Sequence, residues 1–458
     1  MKKYTRCVLA LSIATLSISA LAKETLPTVS VTADFREVEA LKSANSVSVI
    51  AAQTIARRDA KHLDEILNTA PNVNFSAGAS RGRFIQVRGI GERSQFKDPL
   101  DASVGMLIDG IDYSGIGLAS ALFDVKQVEV LRGPQGTQFG SSALAGLVNI
   151  QSNEASEEFG GKISAGAGSY DSQNMGLVLN GALADNLFAR LAVQKNVSDG
   201  YITNDFLNRD DTNNIDETTF KAQLKWLVSD KLSLTLNTHY IDADNGYNAF
   251  SLNNTRSIPT DQPGHDRQES KAMALKADWS GHDAFELQTT LSLESSKLDY
   301  GFDWDWTNIP ASGTQGGENN HRERDAANFD LRLISKPGSN FLGAQWVAGV
   351  YTSKRDVQLN YDDSWYDIWD GGPWVSTFDS NNDTKRVAGY GELSWDLNDN
   401  VKLSSGLRLE RIDNRYHDSA NVAVDDSENQ WGGNLTLEYT RLDNTLLYAT
   451  ISRGYKTG

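Results

Sequence analysis

The sequence predicts a small mixed α+β domain followed by a transmembrane antiparallel β-barrel. Three observations carry that prediction: long segments with one apolar and one strongly polar face, connections that alternate between short and long, and an export leader at the N-terminus.

The leader is residues 1–22. Lys2, Lys3 and Arg6 form its charged start, Val8 to Leu21 its apolar stretch, and Ala20-Leu21-Ala22 a small-residue cleavage site. Its apolar stretch is too short for a membrane helix, which needs about 20 residues. The single Cys of the chain, Cys7, lies within it, so no internal disulfide is available. The 458 residues carry 43 Lys+Arg against 60 Asp+Glu, a net charge of −17 that argues against nucleic-acid binding. With 10 Trp, 15 Tyr and 16 Phe the chain is too aromatic for disorder.

Residues 156–458 read as barrel. Phe220, Ala222, Leu224 and Trp226 interleave with Lys221, Gln223 and Lys225. Leu232, Leu234 and Leu236 interleave with Ser233, Thr235 and Asn237, and Phe285 to Glu294 and Val401 to Glu410 repeat the pattern. Strands of a soluble sandwich are usually about 5–6 residues long; these are nearer the 9–11 that cross a bilayer. Ser229-Asp230 and Leu397 to Asn400 read as short turns, and 199–216, 242–268, 299–322 and 360–385 as long loops. About 13 such strands are expected. That is an odd number where single-chain barrels have an even one, so the sequence reads as cut within the barrel.

Residues 44–155 differ in kind. A helix is expected over Asp59 to Thr69, followed by short strands at Phe84–Arg88, Val104–Ile108, Val128–Leu131 and Leu147–Ile150. Among these strands the run Val128-Glu-Val-Leu-Arg-Gly-Pro-Gln-Gly136 stands out, together with Phe84 to Ile90, Val104 to Ile111 and Ala143 to Ile150. In this order they resemble the plug domain of TonB-dependent outer-membrane receptors. Leu26 to Ala33 resembles the TonB box, and Tyr390 to Leu393, Gly406 to Glu410 and Leu447 to Tyr455 resemble strands of that family's barrel.

The resemblance implies an α+β plug inside a transmembrane antiparallel β-barrel of about 22 strands, of which about 13 are present. It implies the bacterial outer membrane as location, and residues 23–43 as TonB box and linker. It further implies a transport cycle in which TonB, driven by the inner-membrane energising complex, grips Pro27, Thr28, Val29, Ser30 and Val31. That apolar, β-branched segment suits addition to a partner's sheet edge; a loose tail or a first plug strand is the competing reading. The expected ligand is a ferric siderophore or similar iron complex. Cobalamin, haem or an oligosaccharide is the alternative, and a passive porin or adhesin barrel the weakest reading.

Alternation places Glu392 and Glu410 inside the barrel. The resemblance implies that plug Arg88 and Arg132, with Glu129 nearby, lock onto them; two glutamates that merely hydrate the lumen would look the same. Arg81, Arg83, Arg93, Gln95 and Tyr113 are the expected plug-apex ligand contacts, or else solvated loop residues. Trp365 and Trp369, in an aromatic loop like that of Phe302 to Trp306, suit stacking on a ligand or a membrane-boundary girdle. Gly133-Pro-Gln-Gly136 lacks the Gly-Lys-Ser/Thr of a phosphate loop. The six histidines show no metal-ligand spacing. No catalytic signature is present, so an enzyme, a cofactor and a resident metal are not expected.

Overall fold

The computed structural model describes residues 30–457 apart from 33–34, 78–79, 94–100, 118–120, 249, 309–313, 368–371 and 443–444. The leader, Pro27, Thr28, Val29, Gln95 and Trp369 lie outside the described residues.

Thirteen strands, from Gly160–Ala167 to Thr445–Arg453, form one antiparallel sheet in which each pairs with the next in the chain. Among the described residues the first and last strands do not pair with each other. The polarity of the wall is inverted relative to a soluble core. Leu407 and Leu409 are 50% and 60% exposed on the outer face, while Arg408 and Glu410 between and beyond them are buried. Leu291 and Leu293 likewise face out where Ser292 and Glu294 face in. Period-two alternation produces both faces at once, and no helix among the described residues is long and apolar enough to cross a membrane.

The strands are longer than a bilayer requires. Thr314–Ser335, Gln345–Asp367 and Gly372–Asn398 run 22, 23 and 27 residues. The long loop expected over 360–385 is therefore mostly a ribbon, with Trp365 opposite Trp374. The apolar pattern stops where lipid stops, but backbone pairing has no need of lipid and continues into water.

The first domain carries a five-stranded sheet ordered Val47–Ala51, Val125–Arg132, Gly146–Ser152, Val104–Ile108, Ile111–Asp112. Val104–Ile108 and Gly146–Ser152 run parallel and the remaining pairs antiparallel. Gly146 permits the close pairing, since a Cβ there would lie 2.4 Å from the Leu131 carbonyl oxygen. Val128, Val130, Val148, Ile150, Met106 and Ile108 pack with Leu63, Ile66 and Leu67, and inward residues of the wall (Ile241, Ala274, Leu298) join the same core.

The helix expected over Asp59 to Thr69 is a single turn, Asp64–Leu67, preceded by a separate helix at Ala52–Arg57. Asp59 has φ 51°, outside the right-handed helical region, and His62 bridges to Ala121. These two constraints end the helical path that the apolar spacing suggested.

Candidate functional site

The first domain sits inside the curled sheet as a plug, held by buried polar contacts reaching from Arg190 to Asn434. Asp101, buried, meets Arg355 and Arg386 of two adjacent strands, and Thr457 donates its hydroxyl to the same carboxylate. Burial alone would raise the Asp101 pKa, but the Arg386 and Arg355 guanidiniums overcome it and hold the carboxyl well below the usual carboxylate range. Arg386 also reaches Ser142 at 3.3 Å. On other faces, Asp124 takes a two-pronged contact from Arg190 at 2.6 Å, and Asp109 meets the His239 ring at 2.9 Å. Arg324 donates to the carbonyls of Ser114 (2.7 Å) and Asp112 (3.1 Å), and Thr137 to Asn434 at 2.8 Å. Removing one partner of such a buried pair costs about 3–5 kcal/mol, because the other charge is left without compensation.

The residues expected to form the lock do not pair that way. Arg132 donates to Ser46 (3.2 Å), Ser48 (2.7 Å) and the Pro71 carbonyl, and Arg88 lies exposed with φ 53°. Glu410 is held by Arg408 at 3.1 Å and by the Tyr455 hydroxyl. Glu392 shares the inward face with Tyr390 and Arg386. Glu129 binds the N-terminal segment instead of the wall. The contacts that form run in both senses: the plug supplies the aspartates Asp101 and Asp124 to wall arginines, and it supplies Arg81 and Arg83 to the wall carboxylates Glu217 and Asp266. Strand parity placed Arg386 inward with Tyr390, so it was findable. Asp101 had no such signal, lying in an irregular stretch of the plug.

The expected ligand contacts are also redistributed. Arg81 grips Glu217 with two nitrogens (2.8 and 2.9 Å) and Glu65 at 3.0 Å. Arg83 is buried against Asp266, which also accepts from the Ser80 backbone and hydroxyl at 2.9 and 2.7 Å. Tyr113 is fully buried, 3.3 Å from His239, and burial pushes its phenol up. These three side chains are committed to seating the plug and do not face outward. Arg93 is exposed, and Trp365 is half-buried.

Aromatic residues gather instead above Arg83. Phe250 stacks on Trp306 at 4.9 Å, Tyr247 lies 5.5 Å from Tyr300 and 6.4 Å from Phe302, and the Arg83 guanidinium sits 5.6 Å from the Tyr300 ring. Phe250 is 44% exposed and Trp306 36%, so this ledge presents ring faces to the outside. The Phe302 to Trp306 segment was legible as aromatic; its partners Tyr247 and Phe250, some fifty residues earlier, were not.

At the other end of the plug, Ser30–Val31 pairs with Val38–Glu39. The Ser30 carbonyl accepts from Gln127 at 2.9 Å, and Thr32 donates its N–H and hydroxyl to Glu129 at 2.8 and 3.0 Å. This end of the expected TonB box is thus paired with a short strand of its own chain. Phe35 stacks on Tyr390 (5.6 Å, 14°), and Arg36 donates to the Ser335 carbonyl (2.9 Å) and hydroxyl (3.0 Å). Thr32, Phe35 and Arg36 border a cavity of about 820 Å³ between plug and wall, which extends to Asp112, Arg386 and Arg408. Among the described residues no group of His, Cys, Asp and Glu is arranged to hold a metal ion.

Residues 39–147 match the TonB-dependent receptor plug domain, and residues 149–458 match the TonB-dependent receptor-like β-barrel. The chain belongs to the TonB-dependent receptors. A pesticin receptor of Yersinia enterocolitica is 25% identical over 439 residues, covering 90% of this chain and 61% of the relative. A vitamin B12 transporter, BtuB of Vibrio vulnificus, is 25% identical over 407 residues, covering 83% and 66%. The solved ferric yersiniabactin uptake receptor FyuA of Yersinia pestis shares the fold at a TM-score of 0.76 and 20% identity, covering 90% of this chain and 64% of that one. The ferric-catecholate import receptor Fiu of E. coli does so at 0.68 and 18%, covering 91% and 70%. This receptor chain spans about three-fifths of the length of the pesticin receptors it matches.

Proposed function

We propose that this receptor imports a ferric siderophore or similar iron complex across the bacterial outer membrane, using energy delivered by TonB. The observation that carries the reading is the arrangement of the two ends of the plug. The outer end is stitched to the wall under an aromatic ledge whose exposed Phe250 and Trp306 rings are offered to a ligand. The inner end holds Ser30 and Val31 by a few hydrogen bonds at the mouth of a cavity. TonB acts on the segment Pro27 to Val31, the inner-membrane complex supplies the force, and outer-membrane lipid surrounds the outward leucines. The work is transport, with no covalent chemistry on the ligand. Names among the relatives and fold neighbours support an iron complex, since they include ferric yersiniabactin and ferric catecholates. The second reading is cobalamin import, favoured by the BtuB relative.

The test is uptake of radio-iron as ferric yersiniabactin or a ferric catecholate, and of radiolabelled cyanocobalamin, in an outer-membrane host lacking its own receptors. Iron uptake that disappears on deleting Thr25 to Ala33, with surface binding retained, is the expected result. Cobalamin uptake alone would move the assignment to the second reading. Uptake that survives the deletion would indicate a passive barrel.

A further inference from the structure

We propose that the lipid-facing side of the wall carries a binding site for a doubly phosphorylated lipid of the outer leaflet. Its acyl chains lie in a shallow groove across Gly264–Trp279, Phe285–Asp303, Thr314–Ser335 and Gln345–Asp367, and its two phosphates meet Lys271 and Lys354 at the groove's sides. The inference goes beyond import and shares with that reading only the outer-membrane location.

The groove is the first argument. It has a volume of about 540 Å³ and a floor of Met273, Leu293 and Ala327, which lie opposite one another on three adjacent strands. Met273 and Leu293 are 43% and 45% exposed. The short side chains of Ala327 and of the neighbouring Ser295 leave the dent between them. Toward the membrane centre the next outward row is Leu275, Leu291 and Phe329, so a chain leaving the groove stays on apolar surface.

The order of charge above the groove is the second argument. On six consecutive strands, from Gly264–Trp279 to Val401–Asp418, the first charged outward side chain beyond the apolar band is Lys271, Lys297, Asp325, Lys354, Lys385 and Arg411 in turn. All but Asp325 are cations. The next outward charge is acidic on every one of them: Glu269, Asp299, Glu323, Asp356, Asp383 and Asp413. Some of these charges pair within the wall, as Lys271 does with Glu269, Lys297 with Glu323 at 3.2 Å and Arg411 with Asp413 at 3.1 Å. Lys354 meets Asp383 only at 3.8 Å and stands directly opposite Lys385. Like charges directly opposite each other destabilise a strand pair, so the fold gains nothing from that placement. An anion at the top of an acyl chain does gain from it. Asp325 and Asp356 close the water side of the groove and hold such an anion down at the lysine level.

Spacing is the third argument and selects the lipid. Lys271 and Lys354 stand on strands three steps apart in the sheet, about 14 Å at roughly 4.8 Å per step. A single phosphate cannot meet both, whereas phosphates at the two ends of an acylated disaccharide can.

The test is native mass spectrometry of the receptor, stripped of lipid in mild detergent and offered diphosphoryl lipid A, monophosphoryl lipid A or phosphatidylethanolamine. One molecule of the diphosphoryl form is expected to bind, roughly tenfold or more tighter than either of the others. Lys271→Gln with Lys354→Gln is expected to abolish that preference. Ala327→Trp, which fills the groove and keeps both charges, is expected to weaken binding of all three lipids. Lys231→Gln, beside the short inner turn at Ser229-Asp230, is expected to change nothing. Equal binding of the one- and two-phosphate forms would overturn the site, as would a preference that survives loss of both lysines. The lipid comparison needs no substitution, so it decides the matter even where a variant folds poorly. Binding is read without transport, so a failure of iron uptake leaves this result unaffected.

Discussion

The plug and the wall that surrounds it use the same residue types in opposite senses. In the plug, Leu63, Ile66, Val128 and Ile150 are buried and charge lies at the surface; in the wall, Leu407 and Leu409 face outward and Arg408 and Glu410 face in. Beyond the apolar contact at Ile241, Ala274 and Leu298, the two surfaces meet along a boundary that is polar on the wall side, so the plug presents polar groups there as well. Buried ion pairs such as Asp101 with Arg386 follow from that geometry. Two apolar surfaces would seat a plug permanently, whereas paired charges hold it only while every partner is in place.

The largest expected effect comes from removing a shared partner at that boundary. Asp101→Ala leaves buried Arg386 and half-buried Arg355 without a carboxylate and is expected to cost about 3–5 kcal/mol of plug seating. Protease nicking of the plug in intact barrels measures it; nicking at the wild-type rate would remove Asp101 as an anchor. Because the folded pKa of Asp101 is depressed below its ordinary 3.8, its contribution is present above that value and is lost only as pH falls through the lower folded pKa. The share of seating that Asp101 supplies is therefore expected to be flat from pH 7 to pH 5.

A smaller effect tests the inversion itself. Leu409→Arg places a charge on the lipid face and is expected to cost about 2–4 kcal/mol at mid-depth, against less than about 1 for Thr235→Arg on the cavity side. Folding yields in lipid vesicles compare the two. Equal penalties would mean that the two faces do not differ in solvent.

How much of this was legible in the sequence follows from the same contrast. The wall was readable because lipid outside and water inside impose a strict two-residue period, and the strand number and short turns came with it. Four strands of the plug were placed to within a few residues, since runs such as Val104–Ile108 and Gly146–Ser152 are short, apolar and bounded by glycine or polar residues, whereas Val47–Ala51 and Val73–Ser76 were not anticipated. The helix was misjudged because φ 51° at Asp59 is set by tertiary contacts that apolar spacing does not encode. The boundary was least legible of all. An arginine such as Arg83 reads identically whether it meets a ligand or, as here, Asp266 lying 183 residues away. Which partner it takes is decided by how the plug is seated within the sheet, and no local pattern carries that.

The outer ends of the wall belong to neither side of the comparison, being beyond lipid and clear of the plug, and they carry the smallest prediction. Asp303, at the outer tip of Phe285–Asp303, accepts the N–H groups of Asp305 and Trp306 on one oxygen, at 3.1 and 3.0 Å. Its other oxygen is buried with no hydrogen-bond partner among the described groups. Burial, reinforced by the nearby Asp305 and Asp261 carboxylates, pushes its pKa up to about 7 from an ordinary 3.8. The folded tip therefore binds more protons than the opened one between those two values, and its local stability falls as pH rises through that window. Asp303→Asn keeps the accepting oxygen and removes the charge. It is expected to slow protease cleavage of the adjoining turn a few-fold at pH 8 and to matter little near pH 4, with the difference growing between. A difference that grew toward acid would mean that the carboxylate is stabilised as an ion, and that the outer tips follow the rule of the plug boundary after all.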